Sequence, residues 1–245
     1  MLGLGSSLAL GGAPSEFLIS SISGLEVWLK FNTGQTTPDI DSDGDSDILW
    51  ADQSGNGRDG TGGDTGVGEV TIADTRQGTF SGGAWQSALD PDFLKIGDGT
   101  LSLVDDYTLF IIFTNHNDAD TFIGGATTAN MMRLGQGSAS AGRWRHDGNQ
   151  DNLSFDINPS TGKQMWRIER NASDECIITQ NSTTGILDAV SMRSEPFSCA
   201  RIPAGAAGIA DGLVYELAVF NRTLTASEIS KIEADILDRN SLTAD

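Results

Sequence analysis

The chain has 245 residues, enough to bury a sizeable core in one domain, and its 34 acidic against 15 basic residues give a formal net charge of −19. That balance repels a phosphate backbone and leaves no counterions to release, which excludes nucleic acid as a partner. Thirty glycines and six prolines suit an all-β body with many turns, two cysteines are too few for a disulfide framework, and no stretch approaches the ~20 apolar residues of a membrane span.

In chain order, Met1 to Ala13 is glycine-rich and mildly apolar, without the basic start and continuous apolar run of a secretory leader. Residues 1–15 are therefore expected to form an arm that docks Leu2, Leu4, Leu8 and Leu10 on a neighbouring surface, with one domain over 16–245. Phe17-Leu18-Ile19 reads as a short strand, and a longer one follows over 24–31. Between Thr33 and Gly68 glycine and aspartate dominate, so this region reads as loop held down by bound ligands or by packing of Trp50. Short strands are expected at 69–73 and 93–96. Tyr107 to Thr114 is apolar on both faces, which requires cover on each side. Further strands are expected at 121–124, 130–134, 142–146, 152–157, 164–170, 174–179, 186–191 and 197–202, with turns recurring every 8–12 residues or so, as in β-sandwiches.

Leu213 to Phe220 is a second two-sided strand, with Leu213, Tyr215, Leu217 and Val219 on one face and Val214, Ala218 and Phe220 on the other, broken only by Glu216. It is expected to lie in one core with the 107–114 strand. Thr225 and Glu228 then stand at capping-box spacing and start a helix. Ile229, Ile232 and Ile236 form its apolar stripe, and Glu228, Lys231, Glu233, Asp235 and Asp238 its wet side.

The sharpest chemical signal is Asp39, Asp41, Asp43, Asp45 and Asp47, alternate acidic residues with Gly44 at the sixth position. A hard cation needs such oxygens curled around it, which makes Ca²⁺ the expected occupant; Trp50 stands where a bidentate Glu would complete the loop, so a solvated acidic turn is the competing reading. Arg143, Trp144 and Arg145 concentrate planar and cationic groups, and Trp85 lies in a glycine-rich turn. If exposed, these four could stack on and bind a glycan; Trp144 filling the core is the alternative. Cys176 and Cys199 either pair or remain buried thiols. Catalysis is not expected. Glu233-Ala234-Asp235-Ile236-Leu237-Asp238 is the one run resembling a glycosidase's carboxylates, and it falls on the outer face of the closing helix.

The strand Gly24 to Phe31, the loop Trp50-Ala51-Asp52-Gln53-Ser54-Gly55-Asn56-Gly57-Arg58 and the strand–turn–helix of 212–237 resemble, in that order, laminin-G-like domains of the concanavalin A-like superfamily. The resemblance implies an all-β antiparallel β-sandwich or jelly roll with a short C-terminal helix, and an architectural role for the 50–58 loop. With the acidic body and apolar arm, the chain further resembles laminin-G-like structural proteins of tailed phages, particularly those of marine bacteria. That implies a non-enzymatic virion-surface protein, a decoration anchored on capsid or tail proteins by its arm, as a homo-oligomer or part of a large assembly, with weak binding of cell-surface glycans. A Ca²⁺-dependent carbohydrate-binding adhesin or receptor-binding fibre head is the second reading.

Overall fold

Short apolar runs punctuated by glycine turns build the nineteen strands found among the described residues. The structure, a computed structural model, describes residues 18–40, 46–62, 78–86, 93–114, 121–125, 131–134, 142–146, 151–155, 162–173, 175–181, 183–188, 196–202 and 213–242; at 121, 131–134, 142–146, 151–155 and 183–188 it describes the backbone. The first strands are β1 (Leu25–Leu29), β2 (Gln35–Thr36), β3 (Leu49–Trp50), β4 (Gly60–Gly62), β5 (Thr79–Ser81), β6 (Ala84–Gln86), β7 (Leu94–Ile96), β8 (Ser102–Leu103) and β9 (Tyr107–Thr114). Next come β10 (Thr121–Gly124), β11 (Met131–Leu134), β12 (Gly142–His146), β13 (Asp151–Phe155) and β14 (Lys163–Arg170). The last are β15 (Cys176–Gln180), β16 (Thr183–Asp188), β17 (Phe197–Ser198), β18 (Arg201–Ile202) and β19 (Leu213–Phe220), before helix α1 (Ala226–Arg239).

One sheet runs β16-β15-β14-β9-β19-β6-β5, with β1 also paired to β19. The other runs β13-β12-β11-β10-β18-β7-β4-β3-β2, and β8 pairs with β17 separately. Pairing is antiparallel throughout, as in β9 against β14 and β19. The long two-sided strands at 107–114 and 213–220 are thus direct neighbours at the centre of one sheet.

Both faces of that sheet are covered. Tyr107, Leu109, Ile111 and Phe113 of β9 and Trp166 and Ile168 of β14 join Trp50, Leu94, Ile96, Phe122 and Ile202 of the facing sheet in the main core. Phe110, Ile112, Met165, Ala218 and Phe220 point the other way, onto Ile232, Ile236 and Leu237 of α1. All eight residues of β9 are buried as a result. The helix starts as its sequence dictates: Thr225 Oγ1 accepts from Glu228 N–H, and the Glu228 carboxylate accepts from Thr225 N–H at 2.8 Å.

Several expectations are corrected. Ile19–Ser21 is a 3₁₀ turn rather than the end of a strand, because Ser21 N–H and Ile22 N–H turn back to the carbonyls of Leu18 and Ile19. The supposed loop after Thr33 contains β2, β3 and β4, whose mutual ladder satisfies their backbone. Trp50 is nonetheless the buried anchor expected there, its indole N–H donating to the Lys30 carbonyl at 3.0 Å. In β19 the ladder slips between Val214 and Glu216. This bulge puts Val214 with Leu217 and Val219 in the main core, while Tyr215 packs on the helix side.

The wet face assigned to α1 is also wrong in part, since Glu233 is buried against Arg167 of β14, which also bonds Glu169 and Thr179. Beside it Glu216, fully buried, accepts from Trp28 Nε1 at 2.8 Å, Arg239 Nη2 at 2.7 Å and Asn240 Nδ2 at 2.8 Å. The residue that interrupts the apolar strand therefore ties three elements together: β1, β19 and the end of α1. Burial works against the Arg239 charge, but the bonds and charges of Glu216 and Asp235 outweigh it and hold its pKa above the ordinary value. Lys163 lies over the rings of Phe31 and Tyr215, and burial lowers its pKa. Cys176 and Cys199 are both free thiols in the core, with burial pushing each pKa up.

Candidate functional site

With the described core filled by side chains, the site must be sought at the surface, and it is built where a turn is pinned to β1. Asp52 gathers the turn: Oδ1 accepts from Trp28 N–H at 2.9 Å and Ser54 N–H at 2.8 Å, and Oδ2 from Ser54 Oγ at 2.6 Å and Arg58 N–H at 3.0 Å. Asn56 Nδ2 donates to the carbonyls of Leu25 and Glu26. Gly55 and Gly57 take φ of +90° and +69°, a region that side chains disfavour, which explains both glycines. The resemblance's architectural reading of this turn holds, and the turn presents Asn56, Gly57 and Arg58 in a fixed array.

Opposite lies the 97–106 segment. Gly97 N–H donates to the Asp59 carbonyl at 2.8 Å, which joins the segment to the turn. Asp98 Oδ1 accepts from Thr100 N–H and Oγ1, at 3.0 and 2.6 Å, and the hydroxyl bond foremost holds the Asp98 carboxyl below the usual range. Asp106 Oδ2 accepts from Thr223 Oγ1 at 3.2 Å. Between the two walls is an open cleft of about 650 Å³, closed at one side by Glu26 and Asn221. Glu26 ties the first wall to the turn after β19, bonding Arg58 at 3.0 Å through one oxygen and Asn221 Nδ2 through the other. Leu101, Leu103 and Val104 supply its apolar part, and Val104 is 58% exposed.

The residues singled out from the sequence lie elsewhere. Trp85 is overturned as a glycan platform: Gly82 and Gly83, at φ of +56° and +82°, make a tight hairpin between β5 and β6, which pairs Trp85 with Phe80 and Val214 and buries it completely in the main core. Arg143, Trp144 and Arg145 lie on β12, in register with Arg133, Met132 and Met131 of β11. Asp47 is 5% exposed; its Oδ2 accepts from Ile40 N–H at 2.6 Å and its own N–H donates to the Pro38 carbonyl at 2.7 Å, so the two ends of the aspartate segment meet. Asp41, Asp43 and Asp45, the docking leucines Leu2, Leu4, Leu8 and Leu10, and the 69–73 strand lie outside the described residues. The cleft itself was missed. Its only sequence signals are the Gly97-Asp98-Gly99-Thr100 turn and the acidic pair Asp105-Asp106 before β9.

No family model and no curated protein sequence matches the chain. Solved structures do. Trypanosoma rangeli sialidase superposes with a TM-score of 0.59 at 13% identity, over 91% of this chain and 34% of the sialidase. A mutant of that sialidase displaying trans-sialidase activity gives 0.55 at 10%, over 90% and 34%. The botulinum neurotoxin serotype D ligand binding domain in complex with N-acetylneuraminic acid gives 0.53 at 9%, over 86% and 51%. The chain spans about a third of the sialidases and half of the toxin domain. At these identities the likeness concerns the fold alone: this is an antiparallel β-sandwich of the jelly-roll kind, closed on one side by a C-terminal helix.

Proposed function

We propose that the chain is a non-enzymatic recognition module that holds a glycan in the cleft between the 52–58 turn and the 97–106 segment. The observation that carries this is the cleft's construction: polar side chains fixed by their own hydrogen bonds face one another across about 650 Å³, a volume within the range of small-ligand sites. Rigid carboxylates and amides beside a small apolar patch suit the hydroxyls and CH faces of a sugar. The toxin domain of the same fold, seen with N-acetylneuraminic acid, supports glycans as the ligand class.

The setting proposed is the one the sequence resemblance implies, a phage virion surface, with the arm bearing Leu2, Leu4, Leu8 and Leu10 docked on capsid or tail proteins. Ca²⁺ is proposed at Asp39, Asp41, Asp43, Asp45 and Asp47; the meeting of Pro38 and Ile40 with Asp47 supports it, because it brings the two ends of that segment together. A glycan array followed by NMR titration tests the central claim. Bound sugar should shift the amides of 56–58 and 97–106 saturably; saturable binding that shifts only amides elsewhere would overturn it.

A further inference from the structure

Resting on the proposed glycan site, the geometry points to an amino sugar: we infer that the cleft selects glycans bearing a protonated amine and rejects carboxylated ones such as sialic acids. The inference follows from which hydrogen-bonding groups are left over. Several donors on the walls are engaged within the protein, and the acceptors outnumber those that remain. Asn56 Nδ2 is shared by the carbonyls of Leu25 and Glu26, Thr100 Oγ1 bonds Asp98, and Arg58, the one cation lining the cleft among the described residues, pairs with Glu26. Acceptors remain. Asp105 is exposed and makes no bond among the described residues, and a carboxylate has about four lone-pair sites, of which the hydrogen bonds of Asp98 and Asp106 occupy few.

Charge points the same way. Glu26, Asp98, Asp105 and Asp106 share one guanidinium around a space whose volume corresponds to a sphere of about 11 Å diameter, little more than the Debye length of about 8 Å at physiological salt. A ligand amine would therefore sit within reach of several carboxylates at once and donate to them. A sugar carboxylate would have to share Arg58 with Glu26 while facing the other three acids.

The experiment titrates the full chain at about pH 6, where amines are protonated and ordinary carboxylates ionised. Its probes are a β-linked glucosamine tetramer, the same tetramer fully N-acetylated, and a sialylated tetrasaccharide, each followed by calorimetry and by the amides of 56–58 and 97–106. The glucosamine tetramer should bind at least about tenfold more tightly than its acetylated form, with no saturable cleft shifts from the sialylated probe. Asp105→Asn should weaken it by about three- to tenfold, and Asp238→Asn, on the exposed face of α1, should not. Equal or stronger binding of the acetylated or sialylated probe at the cleft overturns the amine preference and leaves the glycan site standing. Equal losses for Asp105→Asn and Asp238→Asn mean that only the net charge attracts the probe, which also overturns it. Cleft amides that respond to none of the three sugars sink both readings.

Discussion

The most exacting test of the architecture is Glu216→Gln. Glu216 is fully buried between β1, β19 and α1, and its carboxylate takes bonds from Trp28, Arg239 and Asn240. Glutamine keeps the volume and an acceptor for the indole, but it removes the charge opposite Arg239 and sets an amide donor against the donors of Arg239 and Asn240. Breaking a buried ion pair by neutralising one partner costs about 3–5 kcal/mol when the other stays desolvated. The Arg239 side chain is 18% exposed and keeps Asp235 at 2.7 Å, so part of that penalty is relieved and a loss of about 2–3 kcal/mol is expected. For a domain of this size that lowers Tm by about 4–12 °C. Urea unfolding should show the midpoint falling with an unchanged slope. Arg239→Met alone should also destabilise, and the double variant should cost at least about 1 kcal/mol less than the sum, since the two share one network. A loss below about 0.5 kcal/mol for Glu216→Gln, or strict additivity, would refute the claim that this pair fastens the helix to the sheet.

Two further outcomes follow from the perturbed groups. Glu228 is held near pKa 2, first by Arg222 and then by the Thr225 backbone, so it lies below its ordinary 4.5. A depressed carboxyl contributes stability that is complete above the unfolded pKa and is lost as pH falls toward 2, so Glu228→Gln should flatten the acid limb of a Tm-versus-pH curve between about 4.5 and 2, by a small amount because the side chain is partly solvated; an unchanged limb would contradict this. Cys176 and Cys199 should resist an aromatic disulfide reagent in the native state and react when unfolded, since burial keeps both thiols protonated; rapid native labelling of either would place it at the surface.

Much of the fold is legible in the sequence because its strongest signals are local. Eight consecutive buried residues in β9, a two-sided β19 and the Thr225–Glu228 box each carry their instruction within one element. What escapes is decided at a distance. β2, β3 and β4 have two or three residues each, too few to show a period, and they exist because Trp50 pairs with Gln35 and Gly60. The bulge at Tyr215 inverts the facing of Val214 without altering the composition of the strand. Glu233 reads as solvated because its partner, Arg167, lies 66 residues away.

The site is hidden for the same reason carried further. Aspartates repeated at Asp39 to Asp47 and an Arg-Trp-Arg run at Arg143 to Arg145 stand out because chemistry and adjacency coincide in the chain. The cleft has no such run. Glu26 comes from the irregular part of β1, Arg58 from a turn that Asp52 folds for structural reasons, Asp98 from the connection between β7 and β8, Asp105 from that between β8 and β9, and Asn221 from the turn after β19. Each residue alone has an ordinary structural use, as loop tie, turn former or helix approach. Only the sandwich, by setting the start of β1 beside the end of β19 and bringing the 97–106 segment to the same cleft, turns those uses into one site. The hydrogen bonds that hold the walls also engage several of their donors. The bonds that stabilise the turns therefore shape what the proposed glycan would meet in the cleft: more acceptors than free donors, and more acids than cations.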